Sequence, residues 1–282
     1  MPVNTVKSIC ILLVLSILLT GVCHASLLDF MDRSCAAVNI ARKAGFTKEY
    51  VEAGGFRILT YRRFSGPSEN IRIYIEGDGR AWEAVGRLSD DPTPSNPVAL
   101  QLAAADPSDN VAYIARPGQF PDTDTPGCDP TYWSQRRFAP EVVGSLDKIV
   151  DILKKGSSAK HVELVGYSGG GALAVLVAAQ RNDIITLRTV AGNLDPKALC
   201  DYHKVSRLDG SMDPLDVAQK VARIPQRHFV GEKDRVIPRS IAEAFIKKEG
   251  SRTDSRITVV KRATHAAGWR ERWPELLSIP LD

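Results

Sequence analysis

The segment Val162–Gly171 constrains the fold of this chain more than any other stretch of its sequence. An apolar run suited to a buried strand ends at Gly166, and Ser168 follows in a Gly-x-Ser-x-Gly frame. The next residues, Ala172–Gln180, are rich in Ala, Leu and Val and predict a helix. A strand, a sharp turn and a helix in this order would expose the Ser168 hydroxyl at a helix N-terminus, where free amides favour negative charge. The alternative is a glycine-rich turn that only connects a strand to a helix.

Strand and helix patterns alternate along the rest of the chain. Strands are predicted at Phe56–Phe64, Ile71–Ile75, Val111–Ala115, Thr186–Ala191, Arg227–Val230 and Arg256–Lys261, and helices at Asn96–Ala105, Pro140–Lys155, Ser240–Lys248 and Gly268–Leu277. With 282 residues, of which 44% are hydrophobic, the chain can bury a full core. These features predict an α/β fold in which helices cover both faces of a mostly parallel sheet, with 26–282 as a single domain.

The first 25 residues have the layout of a secretory signal peptide. Lys7 precedes the apolar run Ile9–Leu19, and small residues precede a cut after Ala25. The run is short for a membrane span, so we expect export to the periplasm or the medium rather than an uncleaved anchor. A lipoprotein anchored at Cys23 is the second choice, because Val22 stands where such signals have Gly or Ala.

Cysteine usage suggests neither a metal site nor a catalytic thiolate. Cleavage after Ala25 would leave Cys35, Cys128 and Cys200, which allow one disulfide and one free thiol in an oxidising compartment. The sequence leaves open which two would pair. No spacing of Cys and His is typical of zinc, and we expect no metal and no organic cofactor.

The distribution of charge argues against nucleic acid as a partner. The formal net charge is +4, and the basic residues are scattered along the chain without forming a stripe. A small-molecule substrate is the expected partner. The oligomeric state is left open.

Three residues that could perform nucleophilic catalysis each follow a predicted strand, in the order Ser168, Asp234 and His265. The carboxyl ends of parallel strands meet at one edge of a sheet, so these distant residues are expected to lie together. A serine hydroxyl needs a base to take its proton, and the histidine needs an acid to fix its tautomer. Asp195 is the alternative acid, and His203 is a candidate for lining the pocket.

An oxyanion hole requires two preorganised donors. We expect one to be the amide of Gly169, directly after the nucleophile. The second is expected from the loop after Ile71–Ile75, with the amide of Asp78 as first candidate and that of Gly79 as the alternative. The Asp78 carboxylate would have to point away from the oxyanion. Arg80 or Arg116 could hold it by a bidentate pair, and a structural counter-ion role is favoured for both arginines over substrate binding.

With Ser168, Asp234 and His265 in this order, the chain resembles the α/β-hydrolase superfamily over nearly all of its mature length. Ile75–Trp82 and Pro94–Leu100 are similar to segments of exported bacterial hydrolases whose substrates are uncharacterised, and Tyr132-Trp133 and Arg137–Val143 also have counterparts there. One departure from better-known lipases and esterases is that Glu76-Gly77-Asp78-Gly79 stands where they usually carry His-Gly or His-Gly-Gly-Gly.

The resemblance implies an exported serine hydrolase that cleaves carboxylic esters through an acyl-enzyme. Lids in this superfamily usually follow the strand that here ends near Asn193. Because Leu194–Ala222 must also contain the ordinary connecting helix, we expect a small cap or none and an open pocket. The same catalytic residues cleave amides, so a peptidase or amidase is the alternative enzyme, and a non-catalytic binding protein is the alternative outside the enzymes.

Overall fold

A computed structural model of the chain describes residues 33–84, 86–126, 128–250 and 255–281. Eight strands form one sheet in the order β1-β2-β6-β3-β7-β8-β9-β10, and β4 and β5 form a separate hairpin. The strands are β1 Thr47–Ala53, β2 Phe56–Phe64, β3 Asn70–Ile75, β4 Trp82–Ala84, β5 Arg87–Leu88, β6 Asn110–Ile114, β7 His161–Tyr167, β8 Ile184–Val190, β9 Gln226–Gly231 and β10 Ser255–Val260.

The sheet is parallel from β6 to β10 and antiparallel only at its first edge. β1 pairs with β2, and β2 with β6, in antiparallel register, whereas β3, β7, β8, β9 and β10 each run parallel to their neighbours. The predicted α/β class with a mostly parallel sheet is confirmed. Parallel strands place their carboxyl ends at one edge, which we call the catalytic edge because Ser168 follows β7 there.

The helices cover the sheet in two groups. They are α1 at 33–43, α2 Val98–Ala105, α3 Pro140–Ser157, α4 Gly169–Ala178, α5 Pro196–His203, α6 Pro214–Val221, α7 Arg239–Glu249 and α8 Trp273–Leu277, with short 3₁₀ turns at Pro130–Trp133 and Arg270–Arg272. Helix α2 contacts α8, whereas α3 contacts α4, α4 contacts α6 and α6 contacts α7. Helix α6 thus packs with the helices that cover the sheet and is the ordinary connection between β8 and β9. Among the described residues, α5 is the one other helix between β8 and α6.

The strongly periodic pattern predicted at Pro140–Lys155 corresponds to α3, the longest described helix. In α3, buried side chains recur three or four residues apart at Val142, Leu146, Ile149 and Leu153, and the helix packs this stripe against the strands. Pro140 occupies its first turn, where a missing amide hydrogen removes no bond. Ser158 ends the helix in the left-handed conformation.

The first edge of the sheet was not predicted. β1 carries the sequence TKEYVEA, and only two of its seven side chains are buried, so it lacks the alternation that identifies β2. Its partner β2 was predicted with the observed bounds, Phe56–Phe64. The hairpin of β4 and β5 was also missed, because its strands have three and two residues.

Two expectations from the sequence concern the termini and the thiols. The signal peptide at 1–25 and the anchor at Cys23 lie outside the described residues. Across the part of the chain that the structure describes, no helix combines the length and apolar character needed to cross a membrane. Cys35, Cys128 and Cys200 are free thiols, so the disulfide that the sequence allowed is not formed in this structure.

Candidate active site

Ser168 occupies a strained turn between β7 and α4. Its φ of 51° and ψ of −120° lie in a region that non-glycine residues rarely adopt. The turn tolerates no larger neighbours: a Cβ placed on Gly166 would lie 2.2 Å from the Gly170 carbonyl oxygen, and one on Gly170 would lie 2.2 Å from the Ile75 carbonyl oxygen. The glycines flanking Ser168 are therefore required by the close approach of backbone atoms.

The backbone on either side of the serine is held by the neighbouring strand. The Ser168 amide donates to the Val190 carbonyl at 3.0 Å, and the Ser168 carbonyl accepts from the amides of Gly171 and Asn193, each at 2.9 Å. These bonds fix the turn that carries the hydroxyl against the end of β8. Strain at a functional residue persists only when the surroundings determine it in this way.

The structure brings Ser168, His265 and Asp234 into hydrogen-bond contact. His265 Nε2 lies 3.1 Å from Ser168 Oγ, and His265 Nδ1 lies 2.9 Å from Asp234 Oδ2. The other carboxylate oxygen, Asp234 Oδ1, accepts from the amides of Val236 at 2.8 Å and Ile237 at 2.9 Å. The Asp234 side chain is fully buried, whereas the His265 side chain is 19% exposed. A serine, a base and a buried orienting acid thus form one continuous chain of contacts.

Two aromatic side chains that the sequence did not single out hold the histidine loop. The Tyr167 hydroxyl and the Trp269 indole N–H both donate to the His265 carbonyl, at 3.1 and 2.9 Å. The Tyr167 ring lies 5.3 Å from the His265 ring. Tyr167 is the variable residue of the Gly-x-Ser-x-Gly frame. Its position before the serine was the only signal for this role.

The alternative acid and the remaining histidines lie elsewhere. Asp195 Oδ1 accepts from the Ala198 amide and caps α5, so it does not contact His265. His203 is exposed, and its Nε2 lies 2.7 Å from the Val236 carbonyl oxygen. His161 starts β7 at the opposite edge. His228 lies buried within β9 beside Thr189, and burial lowers its pKa to about 3.

The loop after β3 packs directly against the nucleophile. A Cβ placed on Gly77 would lie 3.2 Å from Ser168 Cβ, and one placed on Gly169 would lie 2.0 Å from Asp78 Oδ1. Within the described residues, the amides of Gly169, Asp78 and Gly79 have no acceptor. Gly79 has a φ of 64°, and a Cβ there would lie 2.1 Å from the Pro92 carbonyl oxygen. The loop thus presents free amides beside Ser168, as an oxyanion hole requires.

The Asp78 carboxylate is held by two arginines. Arg116 Nη1 lies 3.1 Å from Oδ1 and Arg137 Nη1 lies 2.7 Å from Oδ2. Arg116 also donates to the Arg137 carbonyl at 2.6 Å, which joins the two arginines. Although burial opposes ionisation, the two guanidinium groups hold the pKa of Asp78 below its ordinary value.

This arrangement includes one of the two partners expected for Asp78. Its carboxylate packs against Gly169, and the paired arginines neutralise its charge. Arg116 was one of two expected partners of Asp78. The second observed partner is Arg137 and not Arg80. Together with Asp78, the two arginines carry a net positive charge beside the start of α4, which favours an oxyanion there.

Replacing Arg137 by alanine is expected to lower kcat for an ester substrate about 10- to 100-fold, with little change in KM. The loop that carries Asp78 would lose one anchor and part of its compensating charge, and a missing oxyanion donor costs about 10²–10³ in kcat. Because Arg137 is 14% exposed, added guanidinium should restore part of the rate. Arg136→Ala is the matched control, since Arg136 pairs with Glu141 instead. Equal losses in both variants would contradict the role of Arg137.

A buried carboxyl group supports the same loop from behind. Glu76 Oε1 accepts from the Gly77 amide at 2.9 Å and from the Ala99 amide in the first turn of α2 at 3.3 Å. Burial raises the pKa of Glu76 to about 7, although these amide bonds favour the ionised form. Glu76 therefore joins the candidate oxyanion loop to a helix and carries a proton up to near-neutral pH.

The raised pKa of Glu76 predicts that the fold weakens as pH rises from 5 to 8. The unfolded chain ionises this group near 4.5 and the folded chain only near 7, so stability is complete below 4.5 and falls until the folded pKa is passed. The expected loss is about 3 kcal/mol in the free energy of unfolding. Glu76→Gln should remove this slope in urea unfolding measured at several pH values, and the exposed variant Glu52→Gln should keep it. A slope unchanged in Glu76→Gln would contradict this assignment.

Metal chemistry has no residue set to support it in the described part of the chain. No group of three His, Cys, Asp or Glu side chains there is arranged to hold an ion. The absence of a cofactor remains an expectation from the sequence. The chemistry that this arrangement can perform is nucleophilic attack by Ser168, with His265 as base and free amides beside it.

No model of a protein family matches the sequence, and no curated protein matches it either. Solved structures do match it in fold. An α/β serine hydrolase homologue from Coxiella burnetii has a TM-score of 0.57 and 16% identity, covering 82% of this chain and 93% of its own. The esterase domain of a Rhodothermus marinus protein has a TM-score of 0.55 and 11% identity, covering 82% and 94%.

A puromycin-hydrolyzing peptidase from Mycobacterium tuberculosis is similar over part of its length. Its TM-score is 0.56 at 14% identity, and the match covers 80% of this chain but only 37% of that one. At these identities the comparisons establish the fold. The chain has the fold of the α/β hydrolases, as the sequence predicted.

Proposed function

We propose that this protein is a serine hydrolase that cleaves carboxylic esters through an acyl-enzyme. The observation that carries the proposal is the contact chain from Ser168 Oγ through His265 to the buried Asp234, with separations of 3.1 and 2.9 Å. A serine that only formed a tight turn would not need these contacts with a histidine and a buried carboxylate. Its place at the catalytic edge of an α/β-hydrolase fold adds support from an independent source.

Acylation follows from the contacts of His265. Asp234 accepts a hydrogen bond from His265 Nδ1–H, so Nε2 is unprotonated and can take the proton of Ser168 Oγ. The serine oxygen then bonds to the acyl carbon, and the carbonyl oxygen becomes an oxyanion. When that intermediate collapses, the bond between the acyl carbon and the alkoxy oxygen breaks, and His265 gives its proton to that oxygen, which departs as the alcohol. Asp234 stays ionised and stabilises the imidazolium in between.

The oxyanion is assigned to the amides of Gly169 and Asp78, with that of Gly79 as the alternative to Asp78; all three are free of other acceptors among the described residues. Gly169 is the first residue of α4, so the positive end of the helix dipole adds to its donor. Water then attacks the acyl-enzyme with His265 as base, and the same amides stabilise the second intermediate. The carboxylic acid leaves and Ser168 is regenerated.

An ester of small or surface-borne acyl groups suits the site better than a long chain under a lid. Between β8 and α6 the described chain contains only the eight-residue helix α5, which supports a small cap. A peptidase or amidase is the second candidate, favoured by the fold shared with the puromycin-hydrolyzing peptidase. We also propose that the protein is exported to the periplasm or the medium, because residues 1–25 have the layout of a signal peptide.

A substrate panel tests the reaction class. We expect aryl acetates and butyrates to be hydrolysed at least about 100-fold faster, by kcat/KM, than aminoacyl and peptidyl anilides of matched leaving group. The physical reason is that the alkoxide or phenoxide departs with less help than an amine, which His265 must protonate. Release of the aryl product measures both series in one assay. Faster cleavage of the anilides would replace the ester proposal by the peptidase one, and cleavage of neither would contradict both.

A further inference from the structure

Exposed large apolar side chains concentrate at the catalytic edge. Among the described residues, seven are exposed, and four of these follow the carboxyl ends of strands in the edge that carries Ser168: Trp82, Tyr202, Val205 and Val236. The other three, Val38, Ile152 and Val259, lie on α1, on α3 and on the last strand of the sheet. Apolar groups that gather at one place on a surface indicate contact with something other than water.

Two of the four, Tyr202 and Val236, are connected to Asp234 through His203, and Val205 lies three residues after Tyr202. Tyr202, Val205 and Val236 are 53%, 60% and 44% exposed. His203 stacks edge-on with the Tyr202 ring at 4.9 Å and bonds the Val236 carbonyl at 2.7 Å. The Val236 amide in turn donates to Asp234. This surface, residues 202–207 and 235–239, is called the rim patch below, and it borders the acid side of the site.

The charge of the rim patch is positive. Its two segments contain four basic side chains and no acidic one. Arg207 pairs with Asp201 and Arg239 with Glu243, just outside the segments. Lys204 and Arg235 have no ion-pair partner among the described residues, and both are exposed. Two uncompensated cations therefore stand beside exposed Tyr and Val side chains.

We propose that the rim patch docks the protein on an anionic phospholipid bilayer. Tyrosine and aliphatic side chains partition into the boundary between headgroups and acyl chains, while neighbouring Lys and Arg bind anionic headgroups. Ester carbonyl groups of lipids lie at that boundary, so docking there brings them to the catalytic edge. The assignment of membrane-borne esters as substrates rests on the proposed function, whereas the docking itself does not.

The experiment measures flotation with vesicles in a Ser168→Ala background, so that no turnover is required. Vesicles of phosphatidylcholine that contain about 30% phosphatidylglycerol are compared with vesicles of phosphatidylcholine alone at the same lipid concentration. The variants are Tyr202→Ser/Val205→Ser and Lys204→Glu/Arg235→Glu. Ile152→Ser, on α3, is the matched control, because Ile152 is 45% exposed. All variants have the same N-terminal residues, so these cannot cause a difference in binding between them. Amide hydrogen exchange of residues 201–207 reports whether the rim patch itself contacts the vesicles.

The proposal expects binding to the anionic vesicles that weakens with salt. The two charge reversals should lower the partition coefficient about 25-fold, at about fivefold for each basic residue, and the Tyr202/Val205 variant should also lower it. Ile152→Ser should bind like the parent, and amides at 201–207 should exchange more slowly with vesicles present. Equal binding by all variants, equal binding to neutral vesicles or unchanged exchange at 201–207 would overturn the proposal. An inactive wild type that still docks would overturn only the proposed function.

Discussion

Replacing Ser168 by alanine is expected to lower kcat for an aryl ester by about 10⁵- to 10⁶-fold. The change removes one oxygen atom and leaves the glycine turn, the bonds of the Ser168 backbone and the His265–Asp234 pair in place. A residual rate of about 10³- to 10⁴-fold over water can persist, because the amides of Gly169 and Asp78 and the bound substrate are still positioned.

Two comparisons make this result specific to the nucleophile. The melting temperature of Ser168→Ala should equal or exceed that of the wild type. Alanine fits the same turn, and the fold no longer has to hold a hydroxyl group beside His265. Ser240→Ala, an exposed serine at the start of α7, should keep wild-type turnover. A Ser168→Ala variant that retained more than about a hundredth of the wild-type kcat would rule out a covalent role for Ser168.

Replacing Asp234 by asparagine is expected to lower kcat about 10⁴-fold. The amides of Val236 and Ile237 both donate to one oxygen of this side chain. Asparagine will keep its carbonyl oxygen on those donors, and its NH₂ group will then face His265 Nδ1. The histidine must accept a hydrogen bond there, so its proton moves to Nε2, where it faces Ser168 Oγ and the ring no longer acts as a base.

The matched control for Asp234 is the alternative acid. Asp195→Asn keeps an acceptable N-cap on α5, so turnover of the ester should change by less than about threefold, and stability by less than about 1 kcal/mol. Steady-state kinetics with the same aryl ester measures both variants. If Asp195→Asn lost activity while Asp234→Asn kept it, the acid would have to be reassigned despite the contact seen with Asp234.

The contact among Ser168, Asp234 and His265 could be predicted, because the order of the strands alone brings these residues together. Ser168, Asp234 and His265 each follow a parallel strand, and a parallel sheet collects such positions at one edge whatever their distance along the chain. The turn around Ser168 was equally predictable, because its glycines are required by steric contacts between residues that are close in sequence. Both arguments depend on local pattern and on fold class, which the sequence displays directly.

The pairing of Arg137 with Asp78 could not be predicted in the same way, although that of Arg116 was expected. Arg137 is 59 residues from Asp78 and lies in the loop before α3, where nothing in the local pattern fixes the direction of a side chain. Arg80, nearer in sequence, was an expected partner that the structure does not use for this carboxylate. The edge strand β1 was missed for a related reason, because its position against β2 is set by pairing and its own side chains are mostly polar.

Covalent labelling with a fluorophosphonate probe tests the central claim most directly. The probe phosphonylates a serine only when a neighbouring base activates it and donors stabilise the anionic transition state. We predict one adduct by intact mass in the folded wild type, located on Ser168 by peptide mapping, and none in Ser168→Ala. Equal labelling of the two proteins, an adduct on another serine, or no labelling of the folded wild type would contradict the account.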